Sequence, residues 1–293
     1  MLPAPIAYYM KYDAFTKDDI SSVLHEYAAN GVKYISLTCS LLGAVMGDPC
    51  CMATMQKALA EEGISFLDSH SIATHKDYDL NCPDPFKRHQ MLARHKLGLW
   101  IGAEMGVRTM AFHPGFDFAL EDFTIEKQID LVSASLDELL PVAEKAEVIM
   151  CLENIWFAGC MPDVLLELKK RFPSPYFAFC YDSGHANIVS SVTKAQEGGW
   201  ARSHWKSSGY EEPHWEDHAL EKMLPYVVNC HLHDNKGLMD QHQIPGSGTV
   251  DWKKIVSLLR KAPNLRVIHA EINPSPEQSI GEITKAFRAI GEL

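Results

Sequence analysis

The sequence contains no long apolar run and has little positive charge. No window approaches the roughly 20 consecutive apolar residues of a membrane span, and the first residues, MLPAPIAYYMKYD, have no basic head before their short apolar stretch. The formal net charge of −11, with histidine counted as neutral, opposes non-specific binding to nucleic acid or to an anionic membrane. These features predict a cytoplasmic protein without a membrane partner and leave small polar substrates open.

The eight cysteines form no CxxC motif, and their spacing is irregular. Cys151, Cys180 and Cys230 lie within apolar runs, where a thiol behaves as a small hydrophobic group. The adjacent Cys50 and Cys51 are interpreted as helix residues and not as a redox pair. This usage indicates a reducing compartment. Walker, Rossmann and nucleophile-elbow motifs are also missing, so no common nucleotide or acyl-transfer site is indicated.

Eight short apolar runs of β-forming residues alternate with helical segments. Most runs are continuously apolar, which is typical of strands that are covered on both faces. Eight alternations predict an α/β fold of the (β/α)8 TIM barrel type, forming a single domain over residues 1–293. The predicted strands are 5–10, 32–38, 65–71, 107–113, 147–154, 176–182, 226–233 and 266–272.

Helices are predicted between these runs. The first is the clearest, with Thr16 as N-cap, Asp18 and Asp19 in the first turn, and Gly31 after its end. The segment 198–217, rich in Trp, Gly and Ser, is interpreted as a lid or substrate-facing loop, with a surface excursion or a homo-oligomer contact as the alternative. The other predicted helices cover 49–62, 85–105, 125–145, 162–171, 216–223, 252–261 and 277–290.

Four acidic or imidazole residues each stand at the end of a predicted strand: Glu153, Asp182, His231 and Glu271. One such residue is usually an ordinary loop residue, but a parallel barrel brings the carboxyl ends of all its strands to one rim. Carboxylates and imidazoles from several elements are the ligands that a divalent cation needs. The sequence therefore predicts a metal site at this rim.

The motifs LEN, YDSGH, HLHDN and AEIN around these four residues resemble the xylose isomerase-like barrel superfamily. That superfamily contains sugar and sugar-phosphate isomerases and epimerases, and also endonuclease IV. In its tagatose epimerase branch, the matching Glu, Asp, His and Glu hold one metal ion, and the two glutamates exchange protons with opposite faces of the substrate. The resemblance implies that Glu153, Asp182, His231 and Glu271 bind Mn²⁺, Co²⁺, Mg²⁺ or Zn²⁺ and that Glu153 and Glu271 are catalytic.

His231 and His233 share a strand face, so either could be the ligand. The superfamily places its ligand three residues before an acid, which matches His231 with Asp234 and leaves His233 to contact the ligands or the substrate. Endonuclease IV holds further metal ions through five more positions. The resemblance assigns these positions to His70, His113, His185, Asp240 and His242.

Four of those five residues have a simpler alternative. His70 and His113 would hydrogen-bond a sugar hydroxyl, whereas Asp240 and His242 would order the loop before Gly246. In the same rim loops, Trp156 is predicted to stack on an apolar sugar face or to pack at the rim, and Lys236 is predicted to contact the substrate. The run Gly246-Ser247-Gly248 would bind phosphate or form a turn, and His269 is interpreted as a hydrogen-bonded core residue.

The resemblance implies a metal-dependent sugar or sugar-phosphate isomerase or epimerase that transfers protons through an enediolate between two glutamates. The alternatives are an endonuclease IV-like phosphodiesterase with up to three metal ions and a non-catalytic sugar-binding barrel. Basic residues are sparse in the loops after the strands, which disfavours a nucleic-acid partner. These basic residues are Lys76, Lys194, Arg202, Lys206 and Lys236.

Overall fold

The computed structural model describes residues 1–10, 20–73, 75–120, 122–194, 196 and 198–293. Eight parallel strands close into a barrel in chain order, with β8 paired to β1, so the predicted (β/α)8 TIM barrel is confirmed. The strands are β1 (Ile6–Tyr8), β2 (Tyr34–Leu37), β3 (Ser65–His70), β4 (Thr109–Phe112), β5 (Ile149–Glu153), β6 (Phe177–Asp182), β7 (Val227–Leu232) and β8 (Val267–Ala270).

Each strand lies within the apolar run that predicted it. In β5, β6 and β7 every residue is buried, because helices cover the outer face and the barrel interior covers the inner face. The main apolar core lies between the strands and these helices. This double coverage explains why the runs are continuously apolar and do not alternate.

Helices occur between consecutive strands, and three of them were not predicted: α2, α7 and α8. The α2 sequence, CSLLGAVMG, is almost wholly apolar and shows no amphipathic stripe. The predicted N-terminal cap at Thr16, Asp18 and Asp19 lies outside the described residues. The helices are α1 (Ile20–Ala29), α2 (Cys39–Gly47), α3 (Cys50–Glu61), α4 (Pro85–Glu104), α5 (Ile125–Ala146), α6 (Pro162–Arg171), α7 (Ser183–Ile188), α8 (Trp200–Ser207), α9 (Ala219–Met223), α10 (Trp252–Leu259) and α11 (Ile280–Gly291), with 3-10 turns at Lys76–Tyr78, Ala158–Cys160, Ser191–Thr193 and Leu224–Tyr226.

Side-chain caps fix where several helices begin. Asp84 accepts hydrogen bonds from two amides at the start of α4, which opens with Pro85. At the start of α11, Ser279 and Glu282 form a reciprocal capping box. Such caps satisfy amides that have no partner within the helix, so these two helices begin at defined residues.

A second apolar cluster lies above β5 and β6 and contains Trp156, Phe157 and Trp205. The indole of Trp205, on α8, donates a hydrogen bond of 2.6 Å to the carbonyl oxygen of Trp156. Trp205 is fully buried. Through α8, the segment 198–217 therefore packs against the loop after β5 and forms part of the barrel rim.

Cys50 and Cys51 begin α3, as predicted, and all eight cysteines, which lie in the described part of the chain, are free thiols. Among the described helices, none has an apolar stretch long enough to cross a bilayer.

Burial of His95 inside α4 gives a pH-dependent stability prediction. Burial lowers the pKa of His95 from 6.5 to about 4, and its Nε2 lies 2.7 Å from the carbonyl oxygen of Tyr78. The unfolded chain therefore binds this proton first as the pH falls, and stability is lost between pH 6.5 and pH 4. We expect His95 to contribute about 3 kcal/mol to that loss.

Urea unfolding of the unaltered protein and of His95→Gln, at about pH 7 and about pH 4.5, measures this contribution. Glutamine keeps a hydrogen-bond donor and does not titrate. The free energy of unfolding should fall more for the unaltered protein than for the variant. Equal falls would show that His95 does not couple stability to pH.

Candidate active site

The four strand-end residues meet at the carboxyl rim of the barrel. Glu153 is the last residue of β5, and Asp182 is the last residue of β6. His231 is the second-last residue of β7, and Glu271 directly follows β8. The strand register places Asp182 beside His231. The side chains of Asp182 and His231 are fully buried, whereas that of Glu271 is 12% exposed. The rim therefore gathers three carboxylates around one imidazole.

The Nδ1 atom of His231 is the centre of this group. It lies 3.2 Å from Oε1 of Glu153, 3.2 Å from Oε2 of Glu271 and 3.9 Å from Oδ2 of Asp182. Three carboxylates repel one another at such separations unless a positive charge lies among them. The arrangement thus has the form of a site for a cation.

The pKa shifts follow from this geometry. Burial opposes ionisation of Glu153, but His231, His185 and His70 outweigh it and hold the pKa of that carboxyl well below its usual value. The pKa of Glu271 is also held well below its usual value, because His231 outweighs burial. Burial disfavours the charged form of His231, yet Cys180, Glu271 and Glu153 raise its pKa well above 6.5.

His233 lies on the same strand face but contacts other groups. Its Nε2 lies 3.1 Å from Oδ2 of Asp182 and 3.6 Å from Oδ1 of Asp240, and its ring stacks on that of His242 with centroids 4.0 Å apart. Gly184 permits this position, because a Cβ atom there would collide with the His233 ring. The two glutamates therefore face His231, whereas His233 faces the two aspartates.

His70 and His113 approach Glu153 from strands β3 and β4. The Nε2 atoms of these histidines lie 3.5 Å and 3.9 Å from Oε2 of Glu153, and the two rings meet edge to face at 5.0 Å. Nδ1 of His113 lies 3.4 Å from Oδ1 of Asp79. Burial opposes protonation of His113, but Asp79 and Glu153 outweigh it and raise its pKa.

A third group contains the three remaining candidates for additional metal ligands, which are His185, Asp240 and His242. His185 Nε2 and His242 Nε2 lie 3.3 Å and 2.8 Å from Oδ2 of Asp240, and His185 Nδ1 lies 3.2 Å from Oε1 of Glu153. Burial opposes the charge on His242, but Asp240 raises the pKa of this imidazole to about 10. All five additional positions therefore border the four strand-end residues. His70 and His113 lie on one side of Glu153, and the group of His185, Asp240 and His242 lies on the other.

Two further residues, Asn154 and Asp234, stabilise the site through hydrogen bonds that the sequence pattern does not reveal. Asn154 exchanges hydrogen bonds of 3.0 Å and 2.9 Å with the backbone of Asp182, and so fixes the ends of β5 and β6 together. Asp234 accepts hydrogen bonds from the Gly246 amide and from the Trp252 indole. The amide of Gly246 is used in this way, so the Gly246–Gly248 run forms a turn. The LEN and HLHDN motifs contained both residues, but their hydrogen-bond partners come from other strands and loops.

The rim opens into a cavity of about 660 Å³. Its floor is polar, and one wall is apolar and formed by Phe116, Ile155, Trp156 and Phe157. Trp156 thus borders the cavity and also packs within the rim cluster. Lys76 is the one lysine or arginine among the described residues that line the cavity. Lys236 is exposed and lies outside this lining.

The residues present fit a divalent metal ion. Carboxylate oxygens and an imidazole nitrogen converge from four strands, and these are ligand types that Mn²⁺, Co²⁺, Mg²⁺ and Zn²⁺ use to differing degrees. Further groups of at least three donor atoms within 4.8 Å of one another include His70, His113 and Glu153, and also Asp182, His185 and His233. The charge that draws a proton to His231 would equally favour a cation.

The fold is also found in solved structures. A D-tagatose 3-epimerase-like protein superposes with a TM-score of 0.71 at 18% identity, over 98% of this chain and 96% of that one. The 3-keto-D-glucoside 4-epimerase YcjR from E. coli gives 0.69 at 16% identity, over 99% and 100%. The IolI protein with a bound zinc atom gives 0.67 at 14% identity, over 98% and 96%. At these identities the likeness establishes the fold.

Among curated proteins, the uncharacterized protein MJ1311 of Methanocaldococcus jannaschii is 23% identical over 162 residues, covering 54% of this chain. The match spans 48% of that relative, about half of its length. The uncharacterized protein y4fM of Sinorhizobium fredii is 25% identical over 92 residues, which cover 31% of this chain and 22% of that protein. The model of the xylose isomerase-like TIM barrel family matches residues 24–290. The chain therefore belongs to the xylose isomerase-like TIM barrel family.

Proposed function

We propose that the protein is a divalent-metal-dependent isomerase or epimerase of sugars. The observation that carries this proposal is the pair of glutamates, Glu153 and Glu271, each 3.2 Å from the same nitrogen of His231 at the open rim. Both carboxylates line the cavity. The similarity in fold to a D-tagatose 3-epimerase-like protein and to a 3-keto-D-glucoside 4-epimerase supports the same class of reaction.

Glu153, Asp182, His231 and Glu271 would hold the ion. Carbohydrate isomerisation removes a proton from the carbon beside a carbonyl, and this carbon is a very weak acid in water. A divalent ion at these ligands supplies the positive charge that stabilises the developing enediolate, an effect worth several kcal/mol of the barrier.

The two glutamates perform the proton transfers. Both are held ionised, because neighbouring histidines keep the pKa of Glu153 and of Glu271 well below its usual value, so either can act as the base. They project from β5 and from the end of β8, three strands apart around the barrel, and so approach a substrate from different sides. Return of the proton to the opposite face of the same carbon gives epimerisation, whereas return to the neighbouring carbon gives aldose–ketose isomerisation.

His70 and His113 border the same cavity beside Glu153. Asp79 orients His113 through its Nδ1, which leaves Nε2 directed toward the substrate side, so this histidine would hydrogen-bond a sugar hydroxyl. The apolar wall at Trp156 would pack against the less polar face of the sugar. These contacts would fix the substrate between the glutamates, where orientation lowers the barrier.

The cavity lining favours an unphosphorylated substrate. Among the described lining residues, Lys76 is the one lysine or arginine, and four carboxylates share the cavity with it. The Nζ atom of Lys76 lies 5.4 Å and 5.3 Å from the ring centroids of Phe116 and Phe118, an arrangement typical of a cation–π contact. A phosphate group gains most from several Arg or Lys contacts.

The experiment that tests the proposal is a panel of neutral ketoses, their phosphates and inositol-type ketones in deuterium oxide, with metal-loaded protein. NMR detects uptake of solvent deuterium at the carbon beside the carbonyl. We expect uptake with a neutral sugar and slower uptake with its phosphate. Absence of exchange with every compound would contradict the isomerase and leave the phosphodiesterase and the non-catalytic sugar-binding barrel as the alternatives.

A second candidate function is a metal-dependent phosphodiesterase similar to endonuclease IV. The observation that favours it is that His70 and His113 on one side of Glu153, and His185, Asp240 and His242 on the other, gather beside the four strand-end residues. Metal analysis separates the two functions. About one ion per chain supports the isomerase, and about three ions support the phosphodiesterase.

We expect negligible cleavage of a duplex containing an abasic site. The net charge is −11, and the described lining of the cavity offers Lys76 as its one lysine or arginine. The assay at about 50 mM salt gives electrostatic binding its best opportunity. Incision that disappears in Glu153→Gln would overturn the isomerase, because a contaminating nuclease would not respond to this substitution.

A further inference from the structure

Below the rim, the barrel interior contains a buried carboxylate. Asp68 lies on β3, two residues before His70 and on the same face, and its side chain is fully buried. Its Oδ2 accepts a hydrogen bond of 3.2 Å from the side-chain amide of Asn229, which lies on β7 across the barrel. TIM barrel interiors are normally filled by Val, Ile and Leu. A charge placed there is costly unless it is paired, so Asp68 requires an explanation.

The polar groups around Asp68 are incompletely satisfied. Its Oδ1 has no hydrogen-bond partner, and neither does Oδ1 of Asn229. His269, on β8, has two ring nitrogens without a partner, and its Nδ1 lies 3.8 Å from Oδ2 of Asp68. Buried polar atoms without partners are rare in folded proteins. Several such atoms close together indicate that a specific hydrogen bond forms at this position.

His231 supplies the matching donor. Its Nδ1 faces Glu153 and Glu271, whereas its Nε2 is buried and has no hydrogen-bond partner. A neutral imidazole that uses one nitrogen as a ligand carries its proton on the other. With Nδ1 as the ligand atom, Nε2–H is a buried donor that needs an acceptor.

Of Asp68 and Cys180, which both lie near His231, Asp68 is the stronger acceptor. A ring nitrogen of His231, an oxygen of Asp68 and a ring nitrogen of His269 all lie within 4.8 Å of one another. A small side-chain rotation or one bridging water spans this separation. Cys180 is also close to His231, but a thiol is a weak acceptor, whereas hydrogen bonds to a carboxylate are roughly twice as strong as neutral ones.

We propose that Asp68 is a positioning residue that accepts a hydrogen bond from Nε2–H of His231. This hydrogen bond would keep Nδ1, the ligand atom, directed toward Glu153 and Glu271. Asn229 holds the Asp68 carboxylate in place from the opposite wall of the barrel. This inference rests on the proposed role of His231 as a ligand. Outer partners of this kind orient a metal-binding histidine and raise its basicity.

The test uses metal-stripped protein titrated with Co²⁺. Asp68→Asn removes the charge and keeps the shape of the side chain. Asp117→Asn is the matched control, because Asp117 is also buried but accepts hydrogen bonds from the Ala158 amide and the Gln128 side chain. We expect the Co²⁺ affinity of Asp68→Asn to fall by about 10–100-fold and that of the control to stay unchanged. The visible absorption of bound Co²⁺ should change in Asp68→Asn alone, and the thermal midpoint of each metal-free protein separates these effects from lost stability.

The outcomes are distinguishable. If the unaltered protein binds no Co²⁺, the proposed function itself fails. If the unaltered protein binds Co²⁺ and Asp68→Asn keeps the same affinity and absorption spectrum, the positioning role of Asp68 is overturned. If Asp68→Asn does not fold, Asn229→Ala decides, because it frees the carboxylate without removing it. Weakened Co²⁺ binding in that variant supports the role, and unchanged binding overturns it.

Discussion

In deuterium oxide, the Glu153→Gln and Glu271→Gln variants are expected to exchange the substrate proton beside the carbonyl about 10²–10⁴-fold more slowly than the unaltered protein. Glutamine has nearly the same shape as glutamate but cannot take or return a proton. The loss should appear in the rate of deuterium uptake, measured by NMR on an accepted neutral ketose. Both variants should respond, because each carboxylate serves one side of the substrate.

Metal loss has to be separated from the loss of a base, since both glutamates are also proposed ligands. Exchange is therefore measured at saturating metal, and bound metal is determined on the same samples. Glu104→Gln is the control, because Glu104 is exposed at the end of α4, before the start of β4, and so lies toward the end of the barrel opposite the carboxyl rim. Full exchange in either active-site variant with its metal retained would remove that glutamate from proton transfer.

His231→Ala is expected to weaken divalent metal binding by more than the roughly 10–100-fold that loss of an outer partner costs. The substitution removes a nitrogen ligand that lies beside Glu153, Asp182 and Glu271. His233→Ala should have a smaller effect, because His233 contacts Asp182 and Asp240 instead. Metal content after mild loading, with an affinity titration, provides the measurement.

Asp182→Asn extends this comparison. Asp182 contacts both histidines and also caps α7 through a 2.6 Å hydrogen bond from the His185 amide, which asparagine can keep. Its loss of metal should therefore reflect the removed charge. A larger effect for His233→Ala than for His231→Ala would show that the ligand histidine has been assigned to the wrong position. Unchanged metal content in both Asp182→Asn and Glu271→Gln would contradict the whole ligand set.

The strands could be predicted because burial on both faces produces continuous apolar runs, as in VIMCL before Glu153. The strand-end positions of Glu153, Asp182 and His231 followed from those runs, since parallel strands deliver their ends to one rim. The helix at Ser183–Ile188 was missed, because its start depends on the Asp182 side chain accepting the His185 amide. Six residues with no apolar stripe give little other signal.

The remaining parts of the site depend on contacts between distant segments. The stacking of His233 on His242 and the hydrogen bond between Asp68 and Asn229, 161 residues apart, come from barrel closure and loop path. The spacing of these residues along the chain predicts neither the stacking nor the hydrogen bond. Similarly, Lys236 lies in a loop after β7 but outside the described cavity lining, and its position in the sequence does not show where a loop side chain points.

The isomerase and the phosphodiesterase would share most of this rim, so the identity of the reaction is decided by what the glutamates do. If the glutamates were ligands alone, their role would be to hold the positive charge of the metal ions near a phosphate. As bases, they must exchange a carbon-bound proton with solvent. The neutral, partly apolar cavity wall favours the second role, and the sparse basic lining disfavours the first.

The most direct test is the fate of solvent deuterium during turnover of a neutral ketose by metal-loaded protein. NMR of the recovered sugar is predicted to show one deuteron at the carbon beside the carbonyl, and metal-stripped protein should give none. Turnover without deuterium in the product would replace proton transfer by a hydride shift between carbons. That result would contradict the role of Glu153 and Glu271 as the acid and base of the reaction.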